Sequence, residues 1–298
     1  MLKKYQKYLG LSFLVVVTLF SVVYSKEAGP SHLLGTEIGQ EQEELAVNFL
    51  NIGQGDAIYI RTPDDVDVLI DGGPDKSILN ELGAVMPFWD KEINLMILTH
   101  PHSDHVGGLV EVLRRYKVNK ILYTGVLHTA PDYLAWLNEI KGKKVPLEIV
   151  DKKSEIKLGD YIQLKLLYPQ KSFLNQKVKE LNNTSIVAQL VYGQTSFLLT
   201  GDAEEEVEKE LLADHSIALA SNVLKVGHHG SESSTSIDFL RAVSPKIAVI
   251  QVGTDNSFNH PHGKTLFNLK NAVEMIFRTD NLGRVKLLSD GVGGIAEN

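Results

Sequence analysis

Leu95-Met96-Ile97-Leu98-Thr99-His100-Pro101-His102-Ser103-Asp104-His105-Val106-Gly107-Gly108 places three imidazoles and a carboxylate within six residues, directly after an apolar run of strand length. A strand end that projects into a loop can aim alternate side chains to one side. His100 and His102 can then share one cation while Asp104 and His105 turn toward a second. Neutral imidazole and carboxylate suit zinc, and also manganese or iron. The bland alternative is a polar loop of solvated histidines, but four such groups at this spacing seldom serve only solvent.

Working outward, apolar runs of strand length alternate with longer helix-like stretches. Upstream lie strand-like Ala46–Leu50, Ala57–Ile60 and Val66–Ile70, then helix-like Ile78–Val85. Downstream come Ile162–Leu167, Ile186–Leu190, Phe197–Thr200, Val223–Val226 and Ile247–Val252, with helical candidates at Glu204–Leu212 and Ser236–Ala242. Hairpin-like strands followed by strands alternating with helices predict an α/β layered domain of mixed sheets covered by helices. Periodicity alone does not separate a sandwich from a doubly wound sheet. No repeat of 20–50 residues is present, which disfavours solenoids and propellers.

The chain has 298 residues, 43% of them hydrophobic, enough for a sizeable core. Lys3, Lys4 and Lys7 precede an uncharged run from Tyr8 to Ser25, the layout of a signal peptide or a retained membrane anchor. Either leaves the body of the protein outside the cytoplasm, secreted or on the outer face of the membrane. Residues 26–44 lack apolar periodicity and read as a linker, so the folded domain is expected over 45–298. The net charge of −7 becomes −10 once the three leading lysines are set aside. That balance argues against coating nucleic acid with a broad basic face. Cysteine is absent, which removes disulfides, thiolate zinc ligands and a cysteine nucleophile together.

His100-Pro101-His102-Ser103-Asp104-His105 resembles the HxHxDH signature of the metallo-β-lactamase superfamily, and other matches follow in order. Leu69-Ile70-Asp71-Gly72-Gly73 resembles the first motif of that family. Thr200-Gly201-Asp202 resembles the fourth, whose carboxylate bridges two metals, and Val226-Gly227-His228-His229-Gly230-Ser231 the fifth. Alone, Asp71-Gly72-Gly73 would be an ordinary turn and Thr200-Gly201-Asp202 a helix cap. Asn51-Ile52-Gly53-Gln54-Gly55-Asp56-Ala57, Asn259-His260-Pro261-His262, Arg278-Thr279-Asp280 and Ser289-Asp290-Gly291 narrow the resemblance to the hydrolase domain of ComEC/Rec2 competence proteins in a stand-alone form. It covers roughly residues 45–294 and implies an αββα sandwich, two mixed β-sheets flanked by helices.

The resemblance implies two divalent ions, zinc or manganese, held by His100, His102, Asp104, His105, Asp202 and His228, the last taken as the fifth-motif ligand. Asp71 would fix imidazole orientation. Where classical members place a third-motif histidine, this chain has Asn182-Asn183-Thr184-Ser185, with Asn183 the expected counterpart. An amide oxygen binds a borderline metal more weakly than imidazole, so the ion on His100 and His102 would be the weaker one. Paired cations about 3.5–4 Å apart lower the pKa of a water and stabilise in-line displacement at phosphorus. Asp104 and Asp202 would then be ligands, one of them accepting the proton of the attacking water. His229, His260 and His262 are candidates for contacting a phosphoryl oxygen or protonating a leaving group; Asn183 and Ser231 are candidates for substrate contact, with local backbone capping equally open to both.

Phosphodiester hydrolysis is the leading expectation, with DNA favoured through the resemblance and no obligate protein partner. A surface phosphodiesterase acting on phosphocholine-type or other small phosphoesters is a second enzyme reading. A non-catalytic extracellular protein retaining a structural metal is the alternative of another class. β-Lactam hydrolysis is disfavoured by the missing third-motif histidine.

Overall fold

The computed structural model describes residues 44–297. The amino-terminal residues expected to form a signal, anchor or linker lie outside them, apart from Glu44. In chain order the elements are β1 (Leu45–Phe49), β2 (Ile58–Arg61), β3 (Asp67–Ile70), α1 (Ser77–Val85), β4 (Glu92–Ile93), β5 (Leu95–Ile97), α2 (Ser103–Arg115), β6 (Lys117–Val118), β7 (Ile121–Tyr123), α3 (Pro131–Lys143) and β8 (Leu147–Ile149). They continue with β9 (Ser154–Lys157), β10 (Ile162–Tyr168), β11 (Val187–Tyr192), β12 (Thr195–Leu199), α4 (Glu205–Ala213), β13 (Val223–Lys225), α5 (Ile237–Val243), β14 (Ile247–Ile250), α6 (Gly263–Lys270), β15 (Met275–Arg278), α7 (Thr279–Leu282), β16 (Val285–Ser289) and β17 (Ile295–Glu297).

One mixed sheet has eight strands in the order β17-β16-β1-β2-β3-β5-β7-β8, the other seven in the order β15-β14-β13-β12-β11-β10-β9. Strand alternation assigns the layers. Val47, Phe49, Ile58, Ile60, Val68 and Ile70 point into a cluster between the sheets, where Leu164, Leu190, Phe197 and Leu199 meet them. Tyr59, Leu69 and Met96 point the other way and pack against Val106, Leu109 and Leu113 of α2 and Trp136 of α3. On the far side, Leu198 and Leu224 pack against Val207 of α4 and Phe239 of α5. The result is helix, sheet, sheet, helix: the expected αββα sandwich. Strands buried on both faces read as nearly continuous apolar runs, which is why periodicity could not settle the architecture.

The histidine motif differs from the loop expected of it. After β5 the chain turns at Thr99–Pro101, and α2 begins at Ser103, with His102 as its N-cap. Val106, Leu109, Val110 and Leu113 recur at helical spacing on the buried face. Gly108 is the reason the helix can lie so close: a Cβ there would stand 2.0 Å from Gly72 O. Asp104 and His105 therefore occupy the first turn of a helix.

Candidate metal centre

The site lies beyond the carboxyl ends of β3, β5, β12, β13 and β14, where turns of both sheets meet. Asp71 follows β3 with φ +58°, and its carboxylate accepts from Thr99 N at 2.8 Å and Thr99 Oγ1 at 2.7 Å. Its Oδ2 also stands 2.8 Å from His105 Nδ1. This is the orienting contact expected of Asp71, and it holds the other ring nitrogen, Nε2, toward the site. His229 is held in the same way by Gln251 O, 2.9 Å from its Nδ1.

These constraints converge on one oxygen. Asp202 Oδ2 lies 3.2 Å from His105 Nε2, 3.4 Å from His229 Nε2, 3.9 Å from His100 Nε2 and 4.0 Å from His228 Nε2. His229 Nε2 is also 3.3 Å from Asp104 Oδ2. Ligand atoms of Asp104, His105, Asp202 and His229 all lie within 4.8 Å of one another. His105 Nε2, His229 Nε2 and Asp202 Oδ1 are buried with no hydrogen-bond partner among the described residues. Orphaned donors and acceptors of this kind fit a divalent cation with nitrogen and oxygen ligands.

Charges agree with that fit. Burial opposes charge on His105 and His229, but Asp202 together with Asp71 and Asp56 outweighs it and holds both imidazoles well above the usual range. Asp202 and Asp104 are pulled below the ordinary carboxylate range by His229 and His105 despite their burial. His100 goes the other way: burial, then the neighbouring His105, keep it neutral. Its Nε2 lies 3.0 Å from His102 Nδ1, so the two imidazoles meet as expected.

The fifth-motif ligand was expected at His228, but the closer imidazole is His229. His229 is buried, whereas His228 keeps a side-chain exposure of 24% and leans on Glu204, with Nδ1 3.1 Å from Oε1. The backbone explains the exchange. His228 and His229 both take left-handed conformations, φ 45° and 52°, which turn the second imidazole inward. Glu208 braces the following loop, accepting from Thr235 N and from Ser236 N at 2.9 Å.

Asn183 turns away from the cluster. Its Oδ1 accepts from Glu204 N at 3.1 Å and its Nδ2 faces Glu206. Asn182 faces the site instead, with Nδ2 3.3 Å from both ring nitrogens of His228 and a buried, unpartnered Oδ1. Ser231 is spent on its own turn, bonded to Ser233. His262 accepts from Glu232 N at 2.9 Å and braces the loop, whereas His260 reaches the rim 5.4 Å from the His228 ring.

Two buried residues were given no site role by the sequence reading. Asp56, from the Gly-Gln-Gly-Asp stretch, lies 3.3 Å from His229 Nδ1 and makes a direct ion pair with Lys225, while Lys225 Nζ donates to Gly201 O at 2.9 Å. The overlooked signal was a lysine inside the apolar run Val223–Val226, where a charge must find a partner.

Residues 50–253 match the profile of the metallo-beta-lactamase superfamily, and the chain belongs to that superfamily. Among relatives, it is 32% identical to ComE operon protein 3 of Bacillus subtilis over 82% of this chain and 33% of that protein. Competence protein ComA of Neisseria gonorrhoeae is 28% identical over 85% of this chain and 33% of its own length. The chain thus spans about a third of these relatives. A variant of the CmlA beta-hydroxylase has the same fold, with TM-score 0.51 and 11% identity over 82% of this chain and 53% of that one.

Proposed function

We propose that the protein is an exported metal-dependent hydrolase of phosphodiesters, with DNA as the favoured substrate. The observation that carries the reading is the convergence of four imidazole Nε2 atoms on Asp202 Oδ2 beside the part-exposed Asp104. Asp104, His105, Asp202 and His229 would hold one divalent ion; His100, His102 and Asp202 would hold the weaker one. Bound there, such ions supply Lewis acidity and lower the pKa of a water toward neutrality.

The chain's own groups do the rest. Asp71 and Gln251 O lock the tautomers of His105 and His229, so that their Nε2 atoms face inward. Asp104, at the open edge, is placed to accept a proton from the attacking water. His260 contributes to the rim as a neutral imidazole, its pKa pushed down to about 4 by burial and then by His228. It is suited to donate a hydrogen bond to a phosphoryl oxygen, not to act as a general acid at neutral pH.

The named competence relatives favour DNA, and the acidic balance of the domain favours access by single strands or ends over broad duplex binding. Assaying the protein with manganese or zinc against DNA, RNA and small phosphodiesters tests this. Turnover is expected in the wild type and absent in Asp104→Ala and Asp202→Ala; equal, negligible turnover in all three would leave a non-catalytic metal protein.

A further inference from the structure

The end of the domain opposite the metal cluster carries an exposed aromatic pair that the hydrolytic site does not use. β3 and β5 deliver Asp71 and His100 from their carboxyl ends; the loop before β4 lies at the other end. It presents Phe88 and Trp89, 83% and 73% exposed, with ring centroids 4.8 Å apart in an edge-to-face arrangement. The chain enters the domain at this same end. Ala46, one residue into β1, pairs with Arg61, and Arg61 Nη1 reaches Asp90 Oδ2 at 3.2 Å.

Cations follow the aromatic pair along the chain and across the β4–β6 pairing. Lys91 Nζ lies 5.2 Å from the centroid of the Tyr116 ring, and Lys117 N donates to Lys91 O at 2.8 Å. An open groove of about 360 Å³ between the carboxyl ends of α2 and α3 is lined by Arg114, Arg115, Lys117 and Lys143. The acids on this strip are Glu92, which pairs with Lys117, and Glu111 and Glu139, which pair with Arg114. Asp65 and Asp90 are engaged by Arg61. Among the described residues, Lys91, Arg115 and Lys143 remain as exposed cations without an acidic partner on the strip, in a chain whose overall balance is acidic.

We infer that this strip is a membrane-docking surface, with Phe88 and Trp89 seated at headgroup depth and Lys91, Arg115 and Lys143 over the phosphates of anionic phospholipid. An amphipathic indole such as that of Trp89, with an apolar ring beside it and flanking cations, favours this interface. The inference rests on the export reading. The uncharged run Tyr8–Ser25 would bring the protein to a bilayer, and a stretch as long as residues 26–44 reaches at most about 65 Å when fully extended, so the domain would stay near that surface. Docking by the strip would orient it, pointing the metal cluster, about 20 Å away along α2, toward the aqueous side.

The full chain reconstituted with phosphatidylcholine vesicles, with or without phosphatidylglycerol and brominated acyl chains, tests the inference. The protein has two tryptophans, and Trp136 is fully buried, so lipid-dependent emission reports Trp89. Quenching and a blue shift are expected with phosphatidylglycerol. Both should be lost in Trp89→Phe and strongly reduced in a Lys91→Glu/Arg115→Glu/Lys143→Glu variant. Vesicle-bound protein whose Trp89 emission stays at the water-exposed wavelength would overturn the inference. So would quenching by an added oligodeoxynucleotide but not by brominated lipid, which would assign the strip to nucleic acid. A Phe88→Ser/Trp89→Ser variant should keep full turnover of a soluble substrate, so failure of docking and failure of the hydrolase reading are read separately.

Discussion

Lys225, fully buried at the end of β13, makes an ion pair with Asp56 and thereby ties the loop after β1 to the turn that carries Asp202. Removing one partner of a buried pair strands the other charge, which costs about 3–5 kcal/mol. Lys225→Met is therefore expected to lose that much in urea unfolding, and Lys225→Met/Asp56→Asn to recover more than half of it. A single-variant loss below about 1 kcal/mol would show that the pair does not act as a unit.

His229→Ala should lower metal content by about one ion per chain, because its Nε2 stands among Asp104, His105 and Asp202. His228→Ala should keep the metal and lose turnover, since His228 faces Glu204 at the rim. Metal analysis after gel filtration separates the two; the reverse pattern would make His228 the ligand.

Asp71→Ala should leave the fold intact and weaken metal binding by about 10–100-fold, measured by chelator competition. The reason is the loss of the 2.8 Å contact that orients His105.

Gly55→Ala should perturb the site from outside it. Gly55 has φ +136°, and a Cβ would fall 2.1 Å from Asp104 O, so α2 or the Asn51–Ala57 loop must shift. A drop of several degrees in Tm with a parallel loss of metal is expected; unchanged Tm and occupancy would refute the close approach.

Metal uptake should be linked to protons. His105 and His229, raised above the ordinary imidazole range because surrounding carboxylates outweigh their burial, hold protons more tightly than ordinary imidazoles and must give them up to bind a cation. Affinity should thus fall as pH falls, with proton release seen by calorimetry in buffers of different ionisation enthalpy. In the metal-free protein the same two groups contribute stability below the unfolded histidine pKa of about 6.5, lost as pH rises through their folded values. Binding without proton release would contradict this.

The ligand types were legible locally. Four imidazoles and two carboxylates of the cluster stand in short motifs whose order identifies the superfamily, and the strands that carry them are apolar runs bounded by turns. The helix over Ser103–Arg115 was harder to read, because its amino-terminal turn is the histidine motif itself and Gly107-Gly108 lowers helix propensity. Those glycines serve packing against Gly72 and Pro74, a relationship between distant segments.

By itself the sequence determined which chemistry is available: nitrogen and oxygen ligands, no thiol, and an α/β sandwich. Only the tertiary structure decided which neighbour of a pair faces the cluster. Consecutive residues such as His228 and His229, or Asn182 and Asn183, have nearly the same local sequence signal. The left-handed backbone after β13, and the bond from Glu204 N to Asn183 Oδ1 just ahead of α4, turn one member of each pair inward. Long-range partners such as Asp56 and Lys225 were likewise decided in three dimensions, because burial, not spacing along the chain, forces opposite charges to meet.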